Sequence, residues 1–365
     1  MMRMAIAERL KPFSHLPGIS AILPASSVKA QIFPCLIRLY EMRQAFPQLL
    51  IELRIGLQGP VEQFTVSQDL EKGRLEVFGR SARGWVRYFL LGSPAGGVRL
   101  VLEKAPEGGL PVSVGDIHRV LQAKEAMDLR AGYEFVSGQF PVCDRLSLGN
   151  SKVQEGERIS RHLDLAEIFP IWHRLGQWVP SIGVGECMEG TLALLENCRR
   201  SFLGAPERAI SHWLHLFRAG FTGLFVPELE DSRHQGLSMP WPEEILASSP
   251  LLILTEGTRL IRQLFIQQRE QEIEILPFLL PCLHCGRLLG VRLSGGVEIS
   301  FEWTKKTIRR LVLRAEQAGE WALNFRTHVR SCRLRRHSSD KGERVNADFL
   351  LRVEVGVDYF FDNFG

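Results

Sequence analysis

The feature that most constrains this chain is a run of segments in its last third that alternate apolar and polar residues with a period of two. Arg287–Leu293, Val297–Trp303, Thr307–Arg314 and Trp321–Phe325 each turn alternate side chains to one face, the pattern of a sheet buried on one side. Gly295-Gly296 and other short turn segments separate them, so the spacing predicts an antiparallel meander continuing toward Phe364. Leu254–Gln268 carries helical periodicity ahead of it, and Pro277 and Pro281 mark the handover from helix to strands.

The first hundred residues repeat the theme. Val28–Phe33 and Leu36–Tyr40 flank Pro34, which cannot donate to a ladder and belongs at an edge or bulge. Leu49–Leu57 places Leu49, Ile51, Leu53, Ile55 and Leu57 on one face, with Glu52 and Arg54 on the other. Val61–Ser67, Arg74–Phe78, Trp85–Leu91 and Val98–Leu102 complete a set of short strands that predicts a sandwich or barrel-like sheet. Beyond the Gly- and Pro-rich stretch from Gly92 to Gly115, the spacing of Val114, Ile117, Val120 and Leu121 predicts a short linking helix within Val114–Leu129.

Between the β-rich ends the period changes. Leu165, Ile168, Phe169, Trp172 and Leu175 recur every three or four residues; Leu192, Leu194, Leu195 and Cys198 form a second stripe, and Ile210, Trp213, Leu214 and Phe217 a third. The expected architecture is α+β: an antiparallel β-sandwich-like amino-terminal region (1–112), a small helical middle layer (113–270) and a carboxyl-terminal antiparallel meander (271–365).

A chain of 365 residues with 45% hydrophobic and 24% charged residues can bury a large core and is expected to be globular. Its net charge of +4 is too small to serve as an electrostatic footprint for nucleic acid. Arg326, Arg330, Arg333, Arg335, Arg336 and Lys341, with His328 and His337, nevertheless crowd one stretch. That stretch reads as a solvated loop between strands, or as a contact for a protein or anionic partner.

The seven cysteines are an odd number in a chain that needs no staples, which points to a reducing, cytoplasmic setting. Cys282-Leu-His-Cys285 has a chelating gap but no second ligand pair nearby, so neither a metal nor a cofactor is expected. Met1–Leu10 lacks the apolar run of a signal peptide, and no apolar segment is long enough for a membrane span.

Three segments could carry chemistry. Gly183-Val-Gly-Glu-Cys-Met-Glu-Gly190 precedes a helix, where free N–H groups can bind phosphate. Glu186 and Glu189 stand in an anion's way, however, and suit the helix dipole instead. Glu228, Glu230 and Asp231, with His234, follow a very apolar approach, Phe221–Val226, and unequal burial of such carboxylates is what acid–base or glycosidic chemistry requires. Arg233-His234-Gln235-Gly236 would suit a polar loop over a pocket, or a solvated turn. Asn150 and Lys152, with Trp172 and Trp178 farther on, offer the amide, amine and aromatic faces of a sugar groove. They fit equally a capped loop leading into an amphipathic helix with Trp172 in the core. The nucleophile-elbow and zinc-helix signatures of common hydrolases do not occur.

Pro250–Phe265, Glu272–Pro277, Gly290–Trp303 and Leu311–Arg314 together resemble the carboxyl-terminal region of bacterial α-L-fucosidase-like glycoside hydrolases, over about residues 250–325. In that family a final helix of a catalytic helical toroid leads into a closing β domain. The resemblance implies a carbohydrate-related protein, while the short middle region leaves too few residues for the toroid, and none of the family's catalytic residues maps onto this chain. Three functions follow as expectations: saccharide binding without turnover; glycoside hydrolysis using Glu228, Glu230 or Asp231; or a non-enzymatic scaffold that engages a partner through 326–341.

Overall fold

A computed structural model describes residues 4, 9–92, 97–129, 144–149, 153–180, 190–203, 206–231, 233–236, 248–325, 329–337, 340–346 and 349–365. The fold is α+β and dominated by antiparallel sheets.

Period-two alternation builds the amino-terminal half as two six-stranded sheets, one ordered Phe13–Ser14, Glu62–Asp69, Arg74–Ser81, Gly84–Gly92, Val98–Lys104, Ala126–Leu129. The other is ordered Ile117–Leu121, Leu110–Val114, Gln48–Ile55, Leu36–Glu41, Val28–Ile32, Ile19–Ile22. Inward residues from both, such as Val28, Ala30, Leu53, Val77, Tyr88 and Leu100, interdigitate in one core. All seven strands read from the sequence in this half are present.

Two local readings change. Val114–Leu129 holds two strands in place of a helix: Gly115, at φ 52°, turns the chain so that Val114 pairs with Ile117. Ile117 and Val120 are then exposed, and β-branched residues prefer this extended state. Leu49 leaves the inner face of its strand because a bulge opposite Leu39 and Tyr40 shifts the register, and it stands 54% exposed while Ile51 is buried.

The helices are α1 (Gly156–His162), α2 (Leu165–Gly176), α3 (Thr191–Arg200), α4 (Pro206–Gly220) and α5 (Leu251–Phe265). Asp164 caps α2 by accepting from the Ala166 N–H at 2.9 Å. The apolar stripe of α2 is fully buried against α5: the Trp172 Nε1–H donates to the Ile253 carbonyl at 3.2 Å, and Gly257 leaves room for the indole. Helix α5 ends at Phe265, earlier than its periodicity suggested, because Ile266 is extended and Ile266–Arg269 pairs with Glu272–Ile275 in a hairpin.

Cys285–Leu293, Val297–Thr304 and Thr307–Ala315 form the meander inside a seven-stranded sheet, whose edge is closed by Arg145–Leu148 from before the helices. The fourth expected strand, Gly319–Phe325, crosses instead to a four-stranded sheet, where it runs parallel to Glu272–Ile275. Trp303 is buried against Gly286 and Phe265, and its Nε1–H donates to the Leu283 carbonyl at 3.0 Å. Helices and carboxyl-terminal sheets share one core. Among the described residues no helix is long and apolar enough to cross a membrane.

Candidate functional site

A cleft of about 390 Å³ opens where the outer face of the amino-terminal sandwich meets the chain leaving α4. That volume lies within the roughly 300–1,000 Å³ of small-ligand sites. One wall is the strand Val28–Ile32, whose inward residues Val28, Ala30 and Ile32 anchor it in the sandwich and leave Lys29 and Gln31 pointing out. The other wall is a tight hairpin, Phe221–Thr222 with Val226–Pro227, followed by Glu228.

That hairpin is docked by its backbone. The Leu224 N–H donates to the Ser20 carbonyl at 2.8 Å, Leu224 bridges Ala21, and its side chain is buried in the sandwich core. Gly223 sits at φ 54° directly against Ser20, a position and conformation that only glycine fits without strain. Glu228 is fixed in turn: its Oε1 accepts from the Thr222 hydroxyl at 2.8 Å, its N–H donates to the Gly220 carbonyl at 2.8 Å, and its carbonyl accepts from Thr191 Oγ1 at 3.0 Å.

Lys29 lies over the Tyr40 ring, 4.7 Å from its centre, and the Tyr40 hydroxyl donates to Gln31 Oε1 at 3.4 Å. Partial burial pushes the Lys29 ammonium below the ordinary lysine value, and the Glu228 carboxylate pulls back against that shift. Arg233 closes one end, and Leu16 and Pro17 give an apolar lip. The cleft therefore presents an ammonium, an amide, a hydroxyl, a carboxylate and a guanidinium toward one volume.

The three acids expected as acid–base candidates point to different places. Glu228 faces the cleft. Glu230 is exposed and does not line it. Asp231 is buried, and its two oxygens are occupied by the N–H groups of Gln235 (3.0 Å) and Gly236 (2.8 Å), so it closes the loop. His234 is exposed in a left-handed conformation at φ 49°, its N–H donating to the Asp231 carbonyl at 3.0 Å. Among the described residues lining the cleft, Glu228 is the sole carboxylate, whereas paired-carboxylate glycoside hydrolysis places two across the bond.

Neither tryptophan offers a ring to the cleft. Trp172 is fully buried, edge-on to Trp213 and Phe221, which leaves no face for a ligand. Trp178 fastens α2 to the sandwich: its Nε1–H donates to the Leu70 carbonyl at 2.8 Å, its carbonyl accepts from the Ala25 N–H at 2.7 Å, and Gly73 packs on its edge. Asn150, Lys152, residues 183–189 of the glycine-rich loop, Arg326 and His328 lie outside the described residues.

The basic stretch is partly a strand rather than a loop, Ser331–Arg335. Arg333 grips Asp362 through two hydrogen bonds of 2.7 and 3.1 Å, Arg335 bonds the same carboxylate, and Arg336 reaches Glu354 at 3.1 Å. Burial acts to raise the Asp362 carboxyl, but these arginines outweigh it and hold the group below its usual range. Cys282 and Cys285 are half-buried free thiols, and among the described residues no group of three His, Cys, Asp or Glu could hold a metal ion.

Lys29 and Gln31 escaped the sequence reading because polar residues alternating with apolar ones are also the signature of an ordinary solvated sheet face. The signal available was Gly223 within an apolar run, which marks a close backbone approach. No protein-family model matches the chain, and a search of curated proteins returns no match.

Proposed function

We propose that the protein binds a saccharide in the Lys29–Glu228 cleft and does not hydrolyse it. The observation that carries this reading is the convergence of Lys29, Gln31, Thr222, Glu228 and Arg233 on one open volume that contains a single lining carboxylate. Hydroxyl groups both donate and accept, so a wall that mixes N–H donors with a carboxylate suits a polyhydroxylated ligand, while Leu16 and Pro17 suit the C–H face of its ring. The helix-to-meander order that resembles the tail of the fucosidase-like enzymes supports the same class of ligand.

Titration calorimetry of the full chain against neutral and acidic mono- and disaccharides tests the proposal, with chromogenic glycosides run in parallel. Saturable heat whose affinity is weakened in Glu228→Gln and Lys29→Met, without release of chromophore, is the expected result. Chromophore release abolished by Glu228→Gln would replace it with the hydrolase reading. Absence of saturable heat with every sugar would remove it.

A further inference from the structure

The geometry points to a second site, independent of the first: a cleft beside the end of α5 that takes a phosphate group, free or as a monoester. Arg259, Arg262, Arg269 and Arg292 line an open volume of about 380 Å³, and no carboxylate is among the residues lining it. Arg259 and Arg262 lie one turn apart on α5, whose last turn runs straight into Ile266–Arg269 and so carries Arg269 to the same cleft. Arg292 comes from the strand Cys285–Leu293, which belongs to a different sheet.

The arrangement is held in place before any ligand arrives. Arg262 Nε lies 3.5 Å from Asp144 Oδ2, and its Nη2 donates to the Arg292 carbonyl at 2.6 Å. Asp144 is itself buried, with His173 Nε2 at 3.4 Å from its other oxygen. Gln268 ties the strand to the far wall: its Oε1 accepts from the Ser294 N–H at 2.9 Å and hydroxyl at 2.8 Å, and its Nε2 donates to the Ser294 carbonyl at 3.1 Å.

Positive charge is in excess here. Glu256 serves both Arg259 at 2.6 Å and Arg199 at 3.3 Å, Arg292 meets Glu298 only at 3.8 Å in an exposed pair, and among the described residues Arg269 has no carboxylate partner. The carbonyl end of α5 opposes an anion, but the Ile266 N–H already occupies the Arg262 carbonyl there. Guanidinium forks match tetrahedral oxyanions in pairs of N–H···O bonds, and several forks around one volume favour a doubly charged phosphate over a singly charged carboxylate.

The cleft shares no lining residue with the Lys29–Glu228 cleft, so it stands whatever that cleft binds. The test is calorimetric titration of the full chain with inorganic phosphate and with phenyl phosphate, at constant ionic strength set by chloride. Saturable binding in the millimolar range or tighter is expected, weakened about tenfold or more in Arg269→Gln/Arg292→Gln, both exposed positions, and unchanged in Arg309→Gln on an outward sheet face. Tighter binding of phenyl phosphate assigns a monoester, and equal or tighter binding of phosphate assigns the free ion. No saturable heat from either anion, equal weakening by Arg309→Gln, or retention of an RNA oligomer that phosphate does not displace would each overturn the inference.

Discussion

Gly223→Ala is the sharpest perturbation of the fold and the proposed saccharide cleft together. The new methyl group would stand well inside van der Waals distance of the Ser20 carbonyl oxygen, with the Ser20 nitrogen only 3.2 Å away, and neither can give way. Ser20 is held because its carbonyl already accepts the Leu224 N–H and its strand pairs with Val28–Ile32. A left-handed φ of 54° costs a non-glycine residue about 1–2 kcal/mol. Backing the hairpin off the strand forfeits the Ser20–Leu224 bond, about 1 kcal/mol, and draws Leu224 out of a fully buried position worth about 1.5–3 kcal/mol. A destabilisation of about 3 kcal/mol or more is expected, read as a shifted urea midpoint followed by tryptophan fluorescence and circular dichroism. The same retreat moves Thr222 and Glu228 away from Lys29, so saccharide heat should fall in parallel. A variant as stable as the parent refutes the steric argument, and a destabilised variant with unaltered affinity refutes the link between docking and cleft.

Glu228→Gln keeps the shape and removes the charge, so it should leave thermal stability nearly unchanged while weakening saccharide binding by about 1–3 kcal/mol, as measured by calorimetry. Trp172→Ala empties the joint between α2 and α5 and should cost about 3–5 kcal/mol in chemical unfolding, a loss that a surface-stacking tryptophan would not show. Asp144 should tilt the acid limb of stability. Burial raises its carboxyl, but His173 and Arg262 outweigh this and hold the folded value below the ordinary 3.8. The unfolded chain then takes up the proton first as pH falls, so the contribution is complete above the ordinary value and fades as pH drops through the folded one. Thermal melts between neutral pH and pH 3 should show Asp144→Asn losing part of that slope, and parallel curves for parent and variant would remove Asp144 as its source.

Much of the fold could be read from residues whose environment is set by their own strand or helix. Each amino-terminal strand had one apolar face, and the stripe from Leu165 to Leu175 is buried along its whole length. The failures came where a turn, a bulge or a partner strand overrides local spacing. Val114, Ile117, Val120 and Leu121 sit at helical intervals by coincidence, since Gly115 places a turn between the first two. Leu49 obeys its strand's alternation in sequence, but a bulge leaves Leu50 as an extra residue between the pairs Leu39–Ile51 and Tyr40–Leu49 and turns Leu49 outward. Gly319–Phe325 has the composition of a fourth meander strand, and nothing in those residues says that Glu272–Ile275 will pair with it in parallel.

The candidate site was hidden for the same reason. Glu228, Glu230 and Asp231 look like a cluster because they are adjacent in the chain, yet the backbone bends between Leu229 and Glu230, burying Leu229 at 3% exposure and sending the acids in separate directions. What the fold does bring together comes from far apart: Lys29 and Gln31 from an early strand, Thr222 and Glu228 from beyond α4. The arginine cleft repeats the lesson for charge. The basic run near residue 335 is conspicuous in sequence but spends Arg333 and Arg335 on Asp362, whereas Arg259, Arg262 and Arg269 come together because a helix turns directly into a strand, and Arg292 reaches them from a different sheet. Electrostatic character is a property of where side chains meet, so the density of cations along a chain says little about where an anion would be held.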